Sequence, residues 1–125
     1  MDLLPRAASD RQTISAYGGG GFRISGTHWL QPMLVMPWLS LPWGVTALAD
    51  AAIGNLQPLL QQEQSVELLL LGCGANMAAL PKGLRADLKA HGIALEPMDT
   101  GAACRTYNVL MLESRRVAAA LLPVP

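Results

Sequence analysis

Two thiols and one carboxylate carry most of the reactive chemistry that this sequence offers. Cys73 stands between Gly72 and Gly74 in "LLLLGCGANMAALP", and Cys104 follows Asp99, Thr100 and Gly101 in "MDTGAACRTYNVL". A thiol near a helix N-terminus and beside a cation, as Cys104 is beside Arg105, is a candidate nucleophile because both neighbours favour the thiolate. A nucleophile also needs a base. The two histidines are His28, in a region of N-terminal hairpins, and His91, which ends a predicted helix at the opposite edge of the sheet from Cys104. Cys104 therefore reads as a small buried apolar side chain. The glycines around Cys73 raise a second chemistry, a dinucleotide pyrophosphate held at a strand-to-helix turn, and Glu96 falls about 20 residues further on, where a ribose-binding acid would stand. Met77, however, occupies the place of the third glycine, which would allow close helix-to-strand packing. Pro81 also delays the predicted helix well past Gly74. The expectation is a loop that needs glycine for its backbone angles, with no NADH or flavin cofactor. No set of His, Cys and carboxylates has ligand spacing, so no metal is expected either.

The elements that must position these residues are legible from pattern. "TIS", "FRIS", "THWL" and "MLVM" are short β-like runs, and Ser25 and Gly26 sit where a two-residue turn would join Phe22–Ile24 to Thr27–Leu30. The four glycines Gly18 to Gly21 predict a mobile hairpin loop. Residues 47 to 62 read as a helix broken at Gly54 and Pro58. Val66 to Leu71 is a continuous apolar run, as in a strand covered on both faces. A helix is predicted from Pro81, with Leu84 and Leu88 on one face and a left-handed stop at Gly92. Ile93 to Met98 forms the next strand, a helix capped by Asp99 or Thr100 runs to about Glu113, and Arg115 to Leu122 makes the last strand.

In open α/β sheets ligands bind outside the carboxyl ends of the strands. Two parallel strands joined by one helix would set the Gly72-Cys73-Gly74 and Asp99-Thr100-Gly101 loops side by side. The candidate crevice therefore comprises Gly72, Cys73, Gly74, Asp99, Thr100, Cys104 and Asn108. The plainer reading of Asp99 is a helix cap, and Tyr107 and Asn108 read as structural anchors whose hydroxyl and amide need partners.

The chain of 125 residues has the size of a single domain, with residues 1 to 12 expected as a poorly ordered tail. Only 14% of its residues are charged, 51% are apolar and the formal net charge is zero. There is no basic footprint for nucleic acid, and protein partners or self-association fit better. Between Arg23 and Glu63 the ionisable acids and bases are Asp50 and His28 alone. Pro32, Pro37 and Pro42 recur through that segment and prevent a membrane-spanning helix. Trp38, Leu39 and Trp43 in this charge-poor stretch are candidate interface residues, with core packing of either tryptophan as the competing reading. Neither a signal peptide nor a disulfide scaffold is readable, so a cytoplasmic protein with reduced thiols is expected.

"MDTGAACRTYNVL", together with "LLLLGCGANMAALP", "LRADLKAHGIALEPMDT" and "AYGGGGFRISG", resembles a family of small bacterial and archaeal proteins of unknown function that also contains mitochondrial complex I assembly factor 3. The shared pattern falls on Asp99, Thr100, Ala103, Thr106, Tyr107 and Asn108. The resemblance implies a single compact three-layer α/β domain, with a mixed central sheet, N-terminal β-hairpins and helices packed on the sheet. It brings no established catalytic residues. The mitochondrial member helps to build the respiratory NADH:ubiquinone oxidoreductase together with a partner factor, and that member's targeting extension is not expected in this protein. The expected function is a non-enzymatic interaction or assembly factor with a protein partner or a second copy, reaching a membrane, if at all, peripherally through that partner. The alternative is a small-ligand-binding or thiol-dependent enzyme using the crevice.

Overall fold

The computed structural model describes residues 11–76 and 79–125. Three short strands, β1 (Ile14–Gly18), β2 (Gly21–Ile24) and β3 (Thr27–Trp29), form an antiparallel sheet in chain order. Both of its turns rest on left-handed residues, Gly19 with Gly20 and Ser25 with Gly26, which suits the twist of a tight hairpin. The four-glycine loop is tethered rather than free, because the Gly20 N–H donates to Val124 O at 2.8 Å.

The central sheet has five strands in the order β5-β4-β8-β6-β7. These are β4 (Met33–Met36), β5 (Leu39–Pro42), β6 (Leu68–Gly72), β7 (Ala94–Met98) and β8 (Val117–Leu121). The pairs β6–β7 and β6–β8 are parallel, whereas β4 runs antiparallel to β5 and β8, so the sheet is mixed as expected. Strand β5 is an addition to the sequence reading. Its Pro42, like Pro97 in β7, is tolerated because both strands lie at the sheet edges.

Two apolar cores flank this sheet. On one face Leu34, Leu69, Leu71, Ala118 and Ala120 pack with Leu84 and Leu88 of the helix α2 (Leu84–Ala90). They also meet Leu56, from the second of two 3-10 turns (Leu48–Asp50, Ile53–Leu56), and Leu59, from the one-turn helix α1 (Gln57–Leu60). On the other face Met33, Val35, Leu70, Val117, Ala119 and Leu121 pack with Ala103, Cys104, Tyr107 and Met111 of α3 (Thr100–Leu112), and with Ile14, Phe22 and Ile24 of the hairpins. Burial on both faces is why β6 and β8 read as unbroken apolar runs. Helices on either side of the sheet make the three layers.

Helix α2 begins at Leu84 rather than at Pro81. Residues 81–83 instead form a turn that ends on Gly83 at φ +83°, and the Leu84 N–H bonds Pro81 O. Arg11 and Gln12, expected in the tail, are fastened in place. Tyr107 donates its hydroxyl to Gln12 O at 2.8 Å, the Gln12 N–H donates to Pro37 O, and Ser40 donates to Gln12 Oε1. The rest of the predicted tail, residues 1–10, lies outside the described residues, as does Met77.

Candidate functional site

Of the crevice residues, Gly72, Gly74 and Thr100 meet at the carboxyl ends of β6 and β8, where their polar groups bond one another or Leu122, whereas Asn108 reaches Ile14 of the hairpin sheet and the two thiols lie in different cores. Thr100 is completely buried. Its hydroxyl donates to Leu122 O at 2.6 Å and accepts from the Gly74 N–H at 2.9 Å. The Thr100 N–H donates in turn to Gly74 O, Leu122 N–H to Gly72 O and Cys73 N–H to Met98 O. Gly72 is required by this closeness, since a Cβ there would stand 3.2 Å from Thr100 Cα and 2.9 Å from Leu121 Cδ2. Amides that a phosphate would need are thus occupied by the protein's own oxygens. Asp99 caps α3, accepting from the Ala102 N–H at 2.9 Å. Glu96 pairs across the ladder with Leu70, two residues before Gly72 in the chain, and so stands away from the loop.

The thiols lie in different cores. Cys73 belongs to the α2 side, its thiol donating to Leu71 O at 3.5 Å, and Cys104 to the α3 side. No disulfide joins them. Burial pushes the Cys104 thiol up to about 12, with Arg105 lowering it and Asp99 raising it less strongly. Desolvation therefore outweighs the helix-end and cationic effects that marked Cys104 as a nucleophile. Neither histidine belongs to the core around Cys104: His28 is exposed on β3, and His91 caps α2 on the other face of the sheet. Among the described residues no group of three His, Cys, Asp or Glu is placed to hold a metal.

Asn108 is a clasp. Its Oδ1 accepts from the Ile14 N–H at 2.9 Å and its Nδ2 donates to Ile14 O at 2.7 Å, so the amide side chain completes the outer edge of β1 as a neighbouring strand would. Tyr107, one residue earlier in α3, donates its hydroxyl to Gln12 O ahead of β1, and burial raises its phenol pKa.

The interface candidates separate. Trp43 is 5% exposed and its indole N–H donates to Asn55 Oδ1, so it belongs to the core and is withdrawn as an interface residue. The chain leaving β5 turns it beneath the 3-10 turns, where its ring is covered. Trp38, at the β4–β5 turn, is 53% exposed, and Leu39 beside it 43%.

Trp38 also borders a feature that no local motif announces, a cleft of about 350 Å³ at the opposite end of the sheet from the glycine loops. Arg11, Arg115 and Arg116 line it, with Gln62 and Ser114. The Arg11 guanidinium lies 5.3 Å from the Trp38 ring centroid and donates to Met111 O and Ser114 Oγ. Arg116 pairs with Glu67. Helix α3 ends here in a reciprocal cap, Ser114 N–H to Met111 O and Arg115 N–H to Leu110 O, with Ser114 in the left-handed region at φ +61°. The adjacent pair Arg115-Arg116 was the one visible trace of this cleft in the sequence.

A mixed five-stranded sheet with helices on either face, and an antiparallel hairpin sheet beside it, define a small three-layer α/β domain. The chain belongs to the family described as "Protein of unknown function (DUF498/DUF598)", whose model matches residues 14–122. It is 47% identical over 112 residues to an uncharacterised protein of Rhodobacter capsulatus, covering 90% of this chain and 85% of that one. It is 36% identical to NADH dehydrogenase [ubiquinone] 1 alpha subcomplex assembly factor 3 of Danio rerio, across 100% of this chain and 72% of the relative. The solution structure of a Bordetella pertussis protein with an Mth938-like domain superposes with a TM-score of 0.80 at 30% identity, over 98% of this chain and 91% of that one. Among the described residues no helix is long and apolar enough to cross a membrane.

Proposed function

We propose that this chain is a non-enzymatic assembly factor for a respiratory NADH:ubiquinone oxidoreductase. In this reading it binds a protein partner in the cytoplasm and meets the membrane peripherally, through that partner. The observation that carries the reading is the likeness, along the whole chain, to the assembly factor of Danio rerio. The interior supports it. The crevice polar groups satisfy one another, and the Cys104 thiol is held protonated by burial. The other class of function, a ligand-binding or thiol-dependent enzyme at the same crevice, would have to break the Thr100 bonds before any ligand could reach the backbone amides.

Removing the gene and measuring assembled NADH:ubiquinone oxidoreductase on native gels tests the proposal. Loss of the full-size complex, with accumulation of partly built intermediates, is the expected result. Normal assembly, or a small-molecule turnover found with the purified protein, would overturn it.

A further inference from the structure

We infer that the arginine cleft at the amino ends of β6 and β8 is a docking site for an acidic protein segment, with Trp38 as its apolar contact; this rests on the assembly reading and gives it a surface. The argument begins with charge. Three of the nine basic residues of the chain line one cleft, and among the described residues no Asp or Glu lines it with them. Arg116 is answered by Glu67. Arg11 and Arg115 have no carboxylate partner among the described residues. In a chain with zero net charge this is a local excess of positive charge, and such an excess steers a complementary partner.

The walls favour a peptide. A cleft of about 350 Å³ is large enough for a few side chains, and Gln62 and Ser114 offer polar contacts beside the guanidinium groups. Trp38 and Leu39 leave apolar surface open at its border. Arg11 is already oriented, because its bonds to Met111 O and Ser114 Oγ and its position over Trp38 fix the guanidinium. Part of the ordering cost of binding is thereby met before a partner arrives. Arginine at an aromatic border is also the composition in which interface hot spots are enriched.

The test is an NMR titration of the whole chain with a synthetic peptide built from Glu-Glu-Leu repeats, beside a second peptide with lysine in place of glutamate. The Trp38 indole N–H and the Arg11 and Arg115 Nε–H signals should shift together and saturate with the glutamate peptide, and not with the lysine peptide. Arg115→Glu should weaken binding about tenfold or more, as for the loss and reversal of a close charge contact. Because the Arg115 side chain makes no bond to any described residue, that variant should melt as the parent does. Trp38→Ala should weaken binding as well. Shifts that are absent, that centre on residues 72–74 and 99–102, or that survive Arg115→Glu would overturn the inference. So would binding to phosphatidylglycerol vesicles without binding to the peptide, which would assign the arginines to lipid headgroups. A failed titration with an intact gene-removal phenotype sinks the cleft alone, whereas a normal phenotype with a positive titration sinks the assembly reading alone.

Discussion

The two ends of the central sheet treat their polar groups in opposite ways. At the carboxyl end, Thr100, Gly72, Gly74 and Leu122 bond to one another and close the space where α/β proteins commonly hold ligands. At the amino end, Arg11, Arg115 and Arg116 gather around an open cleft with Trp38 exposed at its side. At the carboxyl end a single buried hydroxyl occupies a donor and an acceptor that a ligand could otherwise use. The open end, without a glycine motif, is the end with groups left to offer.

The largest expected effect separates the two tryptophans. Trp43→Ala should destabilise by about 3–5 kcal/mol, because it empties a packed site and leaves Asn55 without its indole donor. Trp38→Ala should cost under about 1 kcal/mol, as exposed substitutions generally do. Chemical denaturation of both variants decides this, and equal losses would erase the contrast between core and cleft.

Thr100→Val comes next. It keeps the shape but strands the Leu122 carbonyl, which is buried, and the Gly74 N–H, which is half-buried, at a cost of about 1–3 kcal/mol. Thermal melting should show the loss with no change in peptide binding at the other end. A variant that stayed stable but acquired or lost a small-molecule ligand would turn the knot into a site.

Alkaline titration probes the interior of α3. Cys104 is held at about 12 when folded, against an unfolded value near 9, so its contribution is complete below pH 9 and is lost as pH rises towards 12. Tyr107, also raised by burial, acts in the same direction. Unfolding free energy should therefore fall through that window, by up to a few kcal/mol at about 1.4 kcal/mol per tenfold, and Cys104→Ala should flatten the fall. A flat profile in the parent would mean that the thiol is accessible to water.

The smallest effect lies at the rim of the cleft. Ser114 sits in the left-handed region where glycine is unstrained, and Ser114→Gly should stabilise by about 0.5 kcal/mol once the larger unfolded-state entropy of glycine is offset. A clear loss instead would give the Arg11 contact to Ser114 Oγ more weight than the backbone strain.

What could be read in advance follows sequence distance. The strand ending at Gly72, the Asp99 cap and the juxtaposition of their two loops were legible, because period, capping chemistry and the crossover rule act locally or pairwise. The role of the Thr100 hydroxyl was not, since its partners, Gly74 and Leu122, are remote in the chain and nothing about a threonine names them. Trp38 and Trp43 look equivalent in sequence, each directly preceded by proline. Strand β5, hidden by those same prolines, is what sends one into a turn and the other into the core. The cleft draws on residues near 11, 37, 62 and 115, so no window of sequence contains it.

The amount of assembled NADH:ubiquinone oxidoreductase in a gene-removal strain carrying variants of this chain tests the central claim most directly. Cys104→Ala and Asp99→Asn, at the closed end, should restore assembly as the parent does, while Arg115→Glu combined with Trp38→Ala should fail although the protein is folded and present. Rescue by the cleft variant and failure of the two closed-end variants would contradict the account.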